Sequence, residues 1–291
     1  MKMVNKLLAG ALVAAALFAF AGCDKPDAGT EGLIKKGSPG NAEINYENTG
    51  DTMARGFESL ATKHLDGVCA IENTINELED TSKITNGVMG YIFGIVTDDT
   101  DKDNIKYSFS IAGVRYNQKT KKVNAYVESF KDVPKADLEK QLTGGKKAKD
   151  SPQYKDANGT NDSSGFGFDL GSKDDFVKDG VMKVWIEVIA NDGTTPGRTG
   201  TKDTYTVKFF NADPKRKSGP QQAPWDLEYN TGAPEAKITV TVLADNVYAK
   251  GDKFTDMEAD MGYYANVQPK QTMNGTWKIS KTSKEAEEIA E

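Results

Sequence analysis

An acidic run near residue 100 has the spacing of a metal-binding loop. Asp99, Asp101 and Asp103 alternate along this run, and side-chain oxygens at alternate loop positions can wrap a calcium ion. In the common helix-loop-helix calcium site, however, a glycine stands where this chain has Asn104, and a bidentate glutamate stands where it has Ser110. The run therefore predicts either a loose calcium site or a solvated loop whose carboxylates repel one another.

A second group of side chains has the chemistry of a carbohydrate site. Aromatic rings can stack on a sugar face while nearby carboxylates and amides form hydrogen bonds with its hydroxyls. The segment 224–230 offers both kinds of side chain, in Trp225, Asp226, Tyr229 and Asn230. Trp225 would also fit a buried position at the end of a core, so the sequence leaves both roles open. Trp185 lies in an apolar stretch and is predicted to be a core residue.

Nucleophilic and zinc chemistry lack partners in this sequence. His64 is the only histidine, so a Ser-His-Asp arrangement or a site of several histidines would depend on one residue. Cys69 lies among small and apolar neighbours, which predicts a buried thiol rather than a reactive one. We therefore expect no catalytic residue, and no cofactor other than the calcium considered above.

The N-terminus has the features of an export signal. Lys2 and Lys6 precede an apolar or glycyl stretch, Leu7 to Phe20, and small residues follow it. That stretch is short for a membrane span, which needs roughly 20 residues. A secretory signal that is removed from the mature protein is the interpretation that this pattern favours.

The residues at the end of this signal add a lipid attachment site. Phe20-Ala21-Gly22-Cys23 resembles the lipobox of bacterial lipoproteins, with Phe in place of the usual Leu. Looser lipoboxes, those of spirochaetes among them, tolerate this departure. The resemblance implies that Cys23 becomes the acylated first residue, with chains such as palmitate anchoring the protein to a bilayer that it does not span. The alternative is an ordinary secretory signal that leaves Cys23 as a plain thiol.

Composition limits the partners of the mature chain. The formal net charge is −6, the isoelectric point is about 5.1 and the mean hydropathy is −0.58. An acidic chain repels phosphates, so nucleic acid is not an expected partner. We expect a protein anchored in the cell envelope, with the outer membrane favoured. The sequence leaves open whether it faces the periplasm or the exterior.

Hydrophobic periodicity predicts mostly β-structure. Apolar residues from Met53 recur at spacings of three and four, which predicts one amphipathic helix before about residue 78. After residue 86 the period changes to two, which predicts an all-β antiparallel β-sandwich. The segments expected are a signal peptide (1–22), a flexible tether (23–50), a helical lead-in (51–85), a single sandwich domain (86–280) and a short, charged helical tail (281–291).

Two strand pairs within the sandwich resemble a known family. Gly90–Val96 with Tyr107–Gly113, and Met182–Ala190 with Thr204–Phe210, are similar to strand pairs of the concanavalin A-like jelly rolls. This family includes lectins, laminin G-like adhesive modules and endo-glycanases. Its retaining glycanases carry paired carboxylates on one strand, whereas Glu187 has no such partner, so we predict a solvent-facing strand residue there.

These observations favour a binding protein. We expect a lipid-anchored envelope or surface protein whose sandwich binds a glycan or a host macromolecule without catalysis. A glycan hydrolase of concanavalin A-like fold and a structural envelope component with no small ligand are the alternatives.

Overall fold

The computed structural model describes residues 28–38, 40–63, 67–82, 87–137, 154–156, 168–191, 193, 204–212, 214, 238–243 and 260–280. Within these ranges sixteen strands are accompanied by a helical turn, α1 (Lys173–Phe176), and residues 135–137 are also helical. The strands are β1 (Ala28–Gly29), β2 (Lys35–Lys36), β3 (Asn41–Asn48), β4 (Ala54–Lys63), β5 (Gly67–Thr74), β6 (Gly87–Asp98), β7 (Lys106–Asn117), β8 (Lys122–Pro134), β9 (Tyr154–Asp156), β10 (Phe168–Ser172), β11 (Val177–Lys178), β12 (Val181–Asn191), β13 (Thr204–Phe210), β14 (Ile238–Leu243), β15 (Asp260–Val267) and β16 (Gln271–Ser280).

The strands form two antiparallel sheets of eight strands each. The first sheet runs in the order β1-β4-β15-β6-β7-β8-β10, with β9 beside β8. The second sheet runs in the order β14-β13-β12-β5-β16-β3-β2, with β11 beside β12. The predicted all-β antiparallel sandwich is confirmed. None of the helices in the described parts of the chain has the length and apolar character needed to cross a membrane.

The main core lies between the two sheets. Alternate residues of each strand point to opposite faces, so the inward positions of both sheets meet in one buried cluster. Phe93 of the first sheet and Tyr205 of the second meet edge to face, with ring centroids 5.1 Å apart. Trp277 of β16 crosses the interface, donating from Nε1 to the carbonyl of Gly90 over 3.0 Å.

A second apolar cluster covers the outer face of the first sheet. It includes Phe57, Phe109 and Phe130, and the rings of the last two stack with centroids 4.9 Å apart. The first sheet is therefore apolar on both faces, whereas the outer face of the second sheet is mostly polar.

The predicted helix is wrong, because the chain from Ala54 forms strands β4 and β5. Phe57 packs in the outer cluster of the first sheet, and Leu60 packs against the main core. A strand that is apolar on both faces places hydrophobic residues three apart, which imitates a helical period.

The predicted tether and domain start are also wrong for the described residues. Residues from 28 onward form β1, β2 and β3, and Leu33 and Ile34 are buried in the main core at 2% and 5% exposure. The sandwich therefore begins before residue 51, rather than at residue 86. Polar and glycine-rich composition reflects the short strands and turns of this segment. The signal peptide and the C-terminal tail lie outside the described residues.

Candidate functional site

Strand pairing on the outer face of the second sheet builds two adjacent rows of side chains. Residues of five neighbouring strands stand opposite one another in the first row: Lys35, Glu43, Thr276, Glu72 and Lys183. The second row lies one pleat away and contains Asn41, Lys278, Ala70, Trp185 and Phe210. We call the depression that these rows line the second-sheet groove.

The second-sheet groove has the size of a small-ligand site. Its volume is about 710 Å³, within the range of roughly 300 to 1,000 Å³ that is usual for ligand pockets. Ala70 and Thr276 are short side chains on its floor, and Trp185 stands at one side. The groove therefore combines an apolar wall with a polar rim.

Trp185 is buried, as predicted, but in a small apolar cluster on the outer face of the second sheet rather than in the main core between the sheets. Its neighbours Val184 and Ile186 are both fully buried. Trp185 lies on the outer face with Val68 and Phe210, and is 8% exposed. A run of apolar residues does not reveal that its middle member must point the other way.

Lys183 contacts both the apolar wall of the groove and its polar rim. Its ammonium group lies 4.9 Å from the centre of the Trp185 ring, a cation–π contact, and it also pairs with Glu72. The ring is thus held in place by a charged pair rather than by core packing alone.

The lining of the groove is positive on balance although the chain is acidic. Lys35, Lys36, Lys183 and Lys278 contribute four positive charges against the two of Glu43 and Glu72. Lys36 pairs with Glu58 at 2.8 Å. Lys35 and Lys278 are exposed, and no carboxylate of the described chain pairs with either. Two cations are therefore available to a ligand.

The carboxylates of the second sheet do not form a close pair. Glu43 and Glu72 lie on either side of Thr276, two strand spacings or about 9.6 Å apart at their backbones. Glu187 lies on the outer face, as predicted, with its carboxylate 3.7 Å from Lys208 Nζ.

The acidic loop does not assemble a metal-binding group. Asp99 pairs with Lys102, and Asp101 Oδ1 accepts a hydrogen bond from the backbone of Asp103. Hydrogen bonds from the Thr100 hydroxyl and then its backbone lower the pKa of Asp98. No three acidic, histidine or cysteine side chains of the described residues converge in a way that could hold a metal ion.

A second titratable cluster, which the sequence did not suggest, lies on the outer face of the first sheet. Tyr126 and Tyr264 are hydrogen-bonded to each other, and burial raises the pKa of both. Burial likewise lowers the pKa of Arg115 to about 10, against a smaller opposite effect of Tyr126. Each of the three is less than a tenth exposed, so this cluster supports the fold and is closed to a ligand.

The other predicted residues have different outcomes. Cys69 is fully buried, and burial raises the pKa of its thiol, as expected for an unreactive cysteine. The proposed ligand residues and the lipid attachment site lie outside the described residues and stay predictions: Trp225, Asp226, Tyr229, Asn230 and Cys23.

Comparisons with known proteins give only distant similarity. No protein-family model matches the chain, and no curated protein matches its sequence. One similar solved structure is the CBM2 module of the evolved Dit of Lactobacillus casei BL23 phage J-1, at 10% identity over 86% of this chain and 78% of that chain, with a TM-score of 0.35. Another is lectin I from Ulex europaeus in complex with the methyl glycoside of α-L-fucose, at 9% identity over 88% and 91%, with a TM-score of 0.35. Similarity this distant carries no argument about function.

Proposed function

We propose that this protein is a lipid-anchored protein of the bacterial cell envelope whose β-sandwich binds a glycan in the second-sheet groove. The observation that carries the proposal is the groove itself, an apolar tryptophan wall beside a row of alternating donors and acceptors. The lipobox-like residues ending at Cys23 support the anchor. The outer membrane is the proposed location.

The groove offers the contacts that a sugar needs. A pyranose ring has apolar C–H faces and a periphery of hydroxyls, so it fits beside an indole edge with polar groups around it. Ala70 leaves space next to Trp185, while Thr276 and Asn41 present hydroxyl and amide groups from neighbouring strands. Such a surface binds by shape and hydrogen bonding, without a covalent step.

Two exposed lysines of the groove indicate which class of glycan it would bind. Lys35 and Lys278 would pair with carboxylate or sulfate groups of an acidic saccharide, and they would gain little from a neutral one. We therefore expect acidic oligosaccharides to bind more tightly than neutral ones, and the difference to shrink as salt is added.

We expect the groove to bind its ligand without cleaving it. An acid for glycoside hydrolysis needs a raised pKa in an enclosed site, with a second carboxylate at a defined distance. Glu72 is engaged by Lys183, and Glu43 is exposed at the rim. Incubation with acidic and neutral polysaccharides should release no new reducing ends. Turnover that is lost in both Glu43→Gln and Glu72→Gln would instead establish the hydrolase alternative.

Groove variants of the full-length protein in detergent test the site. On arrays of neutral and acidic oligosaccharides, Lys278→Ala should weaken acidic-glycan binding several-fold without changing the thermal midpoint, since Lys278 is exposed. Trp185→Ala should weaken binding of both kinds, and because Trp185 is only 8% exposed, its thermal midpoint is measured as well, so that lost folding is distinguished from loss of the groove wall. Lys122→Ala, an exposed lysine of the first sheet, is the matched control and should bind like the wild type.

The same arrays distinguish the competing sites. Wild-type binding by both groove variants, together with a loss in Trp225→Ala, would place the ligand at segment 224–230 instead. Binding of a host protein but of no glycan would show that the ligand is a protein rather than a saccharide. Protease treatment of intact and of lysed cells then separates a surface position from a periplasmic one.

A further inference from the structure

The first two strands occupy one edge of the sandwich in both sheets. β1 is the outermost strand of the first sheet, and β2 is the outermost strand of the second. We call this the N-terminal edge. The opposite edge carries β10 in the first sheet and β14 in the second.

The chain is fixed firmly to the N-terminal edge. Leu33 and Ile34 are buried in the main core, and the backbone N–H of Thr30 donates to the carbonyl of Arg55 over 2.7 Å. Lys36 joins the two sheets, donating to the carbonyl of Ser59 at 3.3 Å besides its ion pair with Glu58. Residues from 28 onward therefore cannot extend as a tether without breaking these contacts.

The stretch between the proposed anchor and the described fold is consequently short in sequence. Only residues 24–27 separate Cys23 from Ala28. Fully extended, this distance is about 18 Å. The seven strands along the path of the first sheet span about 29 Å from edge to edge. An anchor this short holds the N-terminal edge near the bilayer, whatever the rest of the domain does.

We infer that the sandwich is held at the bilayer surface by its N-terminal edge, with the opposite edge farther away. The short anchor fixes only the N-terminal edge, so the opposite edge, about 29 Å away across the first sheet, lies farther from the bilayer on average. Charge does not decide the orientation, because Glu31 accompanies Lys35 at the N-terminal edge and Asp169 pairs with Lys122 at the opposite one. This inference rests on the acyl anchor of the proposed function.

The orientation has a consequence for the ligand. Lys35 and Lys36 belong both to the N-terminal edge and to the lining of the second-sheet groove. The groove therefore opens beside the membrane surface, where it reaches saccharides carried close to the bilayer.

Energy transfer from two labelled positions to the bilayer tests the orientation. The acylated full-length protein is labelled at Glu31→Cys, in the turn after β1, or at Asp174→Cys, in α1 after β10. Both positions are exposed, and Cys69 is fully buried and will not compete for the label. The vesicles contain phosphatidylethanolamine, phosphatidylglycerol and a headgroup-labelled acceptor lipid. We expect the donor at residue 31 to be quenched at least twofold more strongly than the donor at residue 174.

A long linker is the matched control. Twenty Gly and Ser residues inserted after Pro26 free the domain from the bilayer, so quenching should weaken at residue 31 and the difference between positions should largely disappear. Equal quenching at both positions of the unmodified chain would overturn the edge-on orientation while leaving the anchor intact. Failure of the purified protein to bind vesicles, with no acyl mass on Cys23, would overturn the anchor and the orientation together.

Discussion

At the scale of single residues, Glu77 links the two sheets. It follows β5 of the second sheet, and its carboxylate accepts hydrogen bonds from the Tyr116 hydroxyl of the first sheet over 3.0 Å and from Lys173 Nζ over 2.6 Å. The bond from Lys173 and then that from Tyr116 lower the pKa of Glu77. Burial and the bond to Glu77 raise the pKa of Tyr116 to about 12.

Glu77 should therefore contribute to stability in a pH-dependent way. Because its pKa is lower in the folded state than the unfolded value of about 4.3, the contribution is complete above that unfolded value and is lost as pH falls through the folded one. Glu77→Gln should lower the free energy of unfolding at pH 7 by less than about 1 kcal/mol, since the pair is partly exposed. In thermal melts from pH 7 to pH 3, the variant and the wild type should converge at the acid end.

A carboxylate that forms no ion pair within the described residues provides the comparison. Glu43→Gln, on the exposed outer face of β3, should change the midpoint little at any of these pH values. A difference between Glu77→Gln and wild type that stays constant down to pH 3 would mean that lost packing, not the charge, causes it.

At the scale of strands, two glycines let two tyrosine rings lie across the first sheet. Gly90 and Gly113 stand opposite each other on β6 and β7, flanked by Tyr264 of β15 and Tyr126 of β8. A Cβ atom at Gly113 would come within 2.2 Å of Tyr126 Cε1, and one at Gly90 within 3.1 Å of Tyr264 Cδ1. The absence of side chains here allows the two hydroxyls to meet.

Filling this space should destabilise the sheet. Gly113→Ala forces the buried Tyr126 ring to move, which should cost about 1–3 kcal/mol in denaturant unfolding. Combining it with Tyr126→Leu should cost less than the sum of the single changes, because the clash is then removed. Gly37→Ala, whose added atom would meet nothing closer than 3.6 Å, is the control. Wild-type stability in Gly113→Ala would contradict this account of the ring position.

At the scale of the whole molecule, the proposed anchor site and the sandwich are close together in sequence. The described fold begins at residue 28, so the proposed acyl group on Cys23 and the first strand are separated by a few residues rather than by a long tether. If Cys23 is acylated, as proposed, movement of the domain relative to the membrane would be correspondingly limited.

The prediction for the whole molecule concerns the proposed acyl group on Cys23. The native protein should partition into the detergent phase and carry a metabolic fatty-acid label, because several acyl chains hold a protein to a bilayer where one is marginal. Cys23→Ser should move the protein to the aqueous phase without lowering the thermal midpoint of the sandwich. A Cys23→Ser protein that remains with the membrane, beside an unlabelled wild type, would show that Cys23 is not the attachment site.

The sequence by itself determined the fold class and several neighbouring strands. The apolar alternation after residue 86 predicted β-strands, and the two strand pairs expected from the resemblance to jelly rolls, β6–β7 and β12–β13, are present, each joined in sequence order. Alternation and local turns are properties of adjacent residues, so a single sequence is enough to reveal them. The buried state of Cys69 followed from its neighbours in the same way.

Only the tertiary structure decided which residues share a surface. The groove joins Lys35, Glu43, Glu72, Lys183 and Thr276 through strands that are distant in sequence. It also turned Trp185 outward and made β4 a strand that is apolar on both faces. A hydrophobic period gives the alternation of a strand but not the partners beside it or the layers that cover its faces. The pairing of strands that are distant in sequence fixes both the neighbours and the covering layers. The spacing of residues along one strand does not indicate which strands will pair.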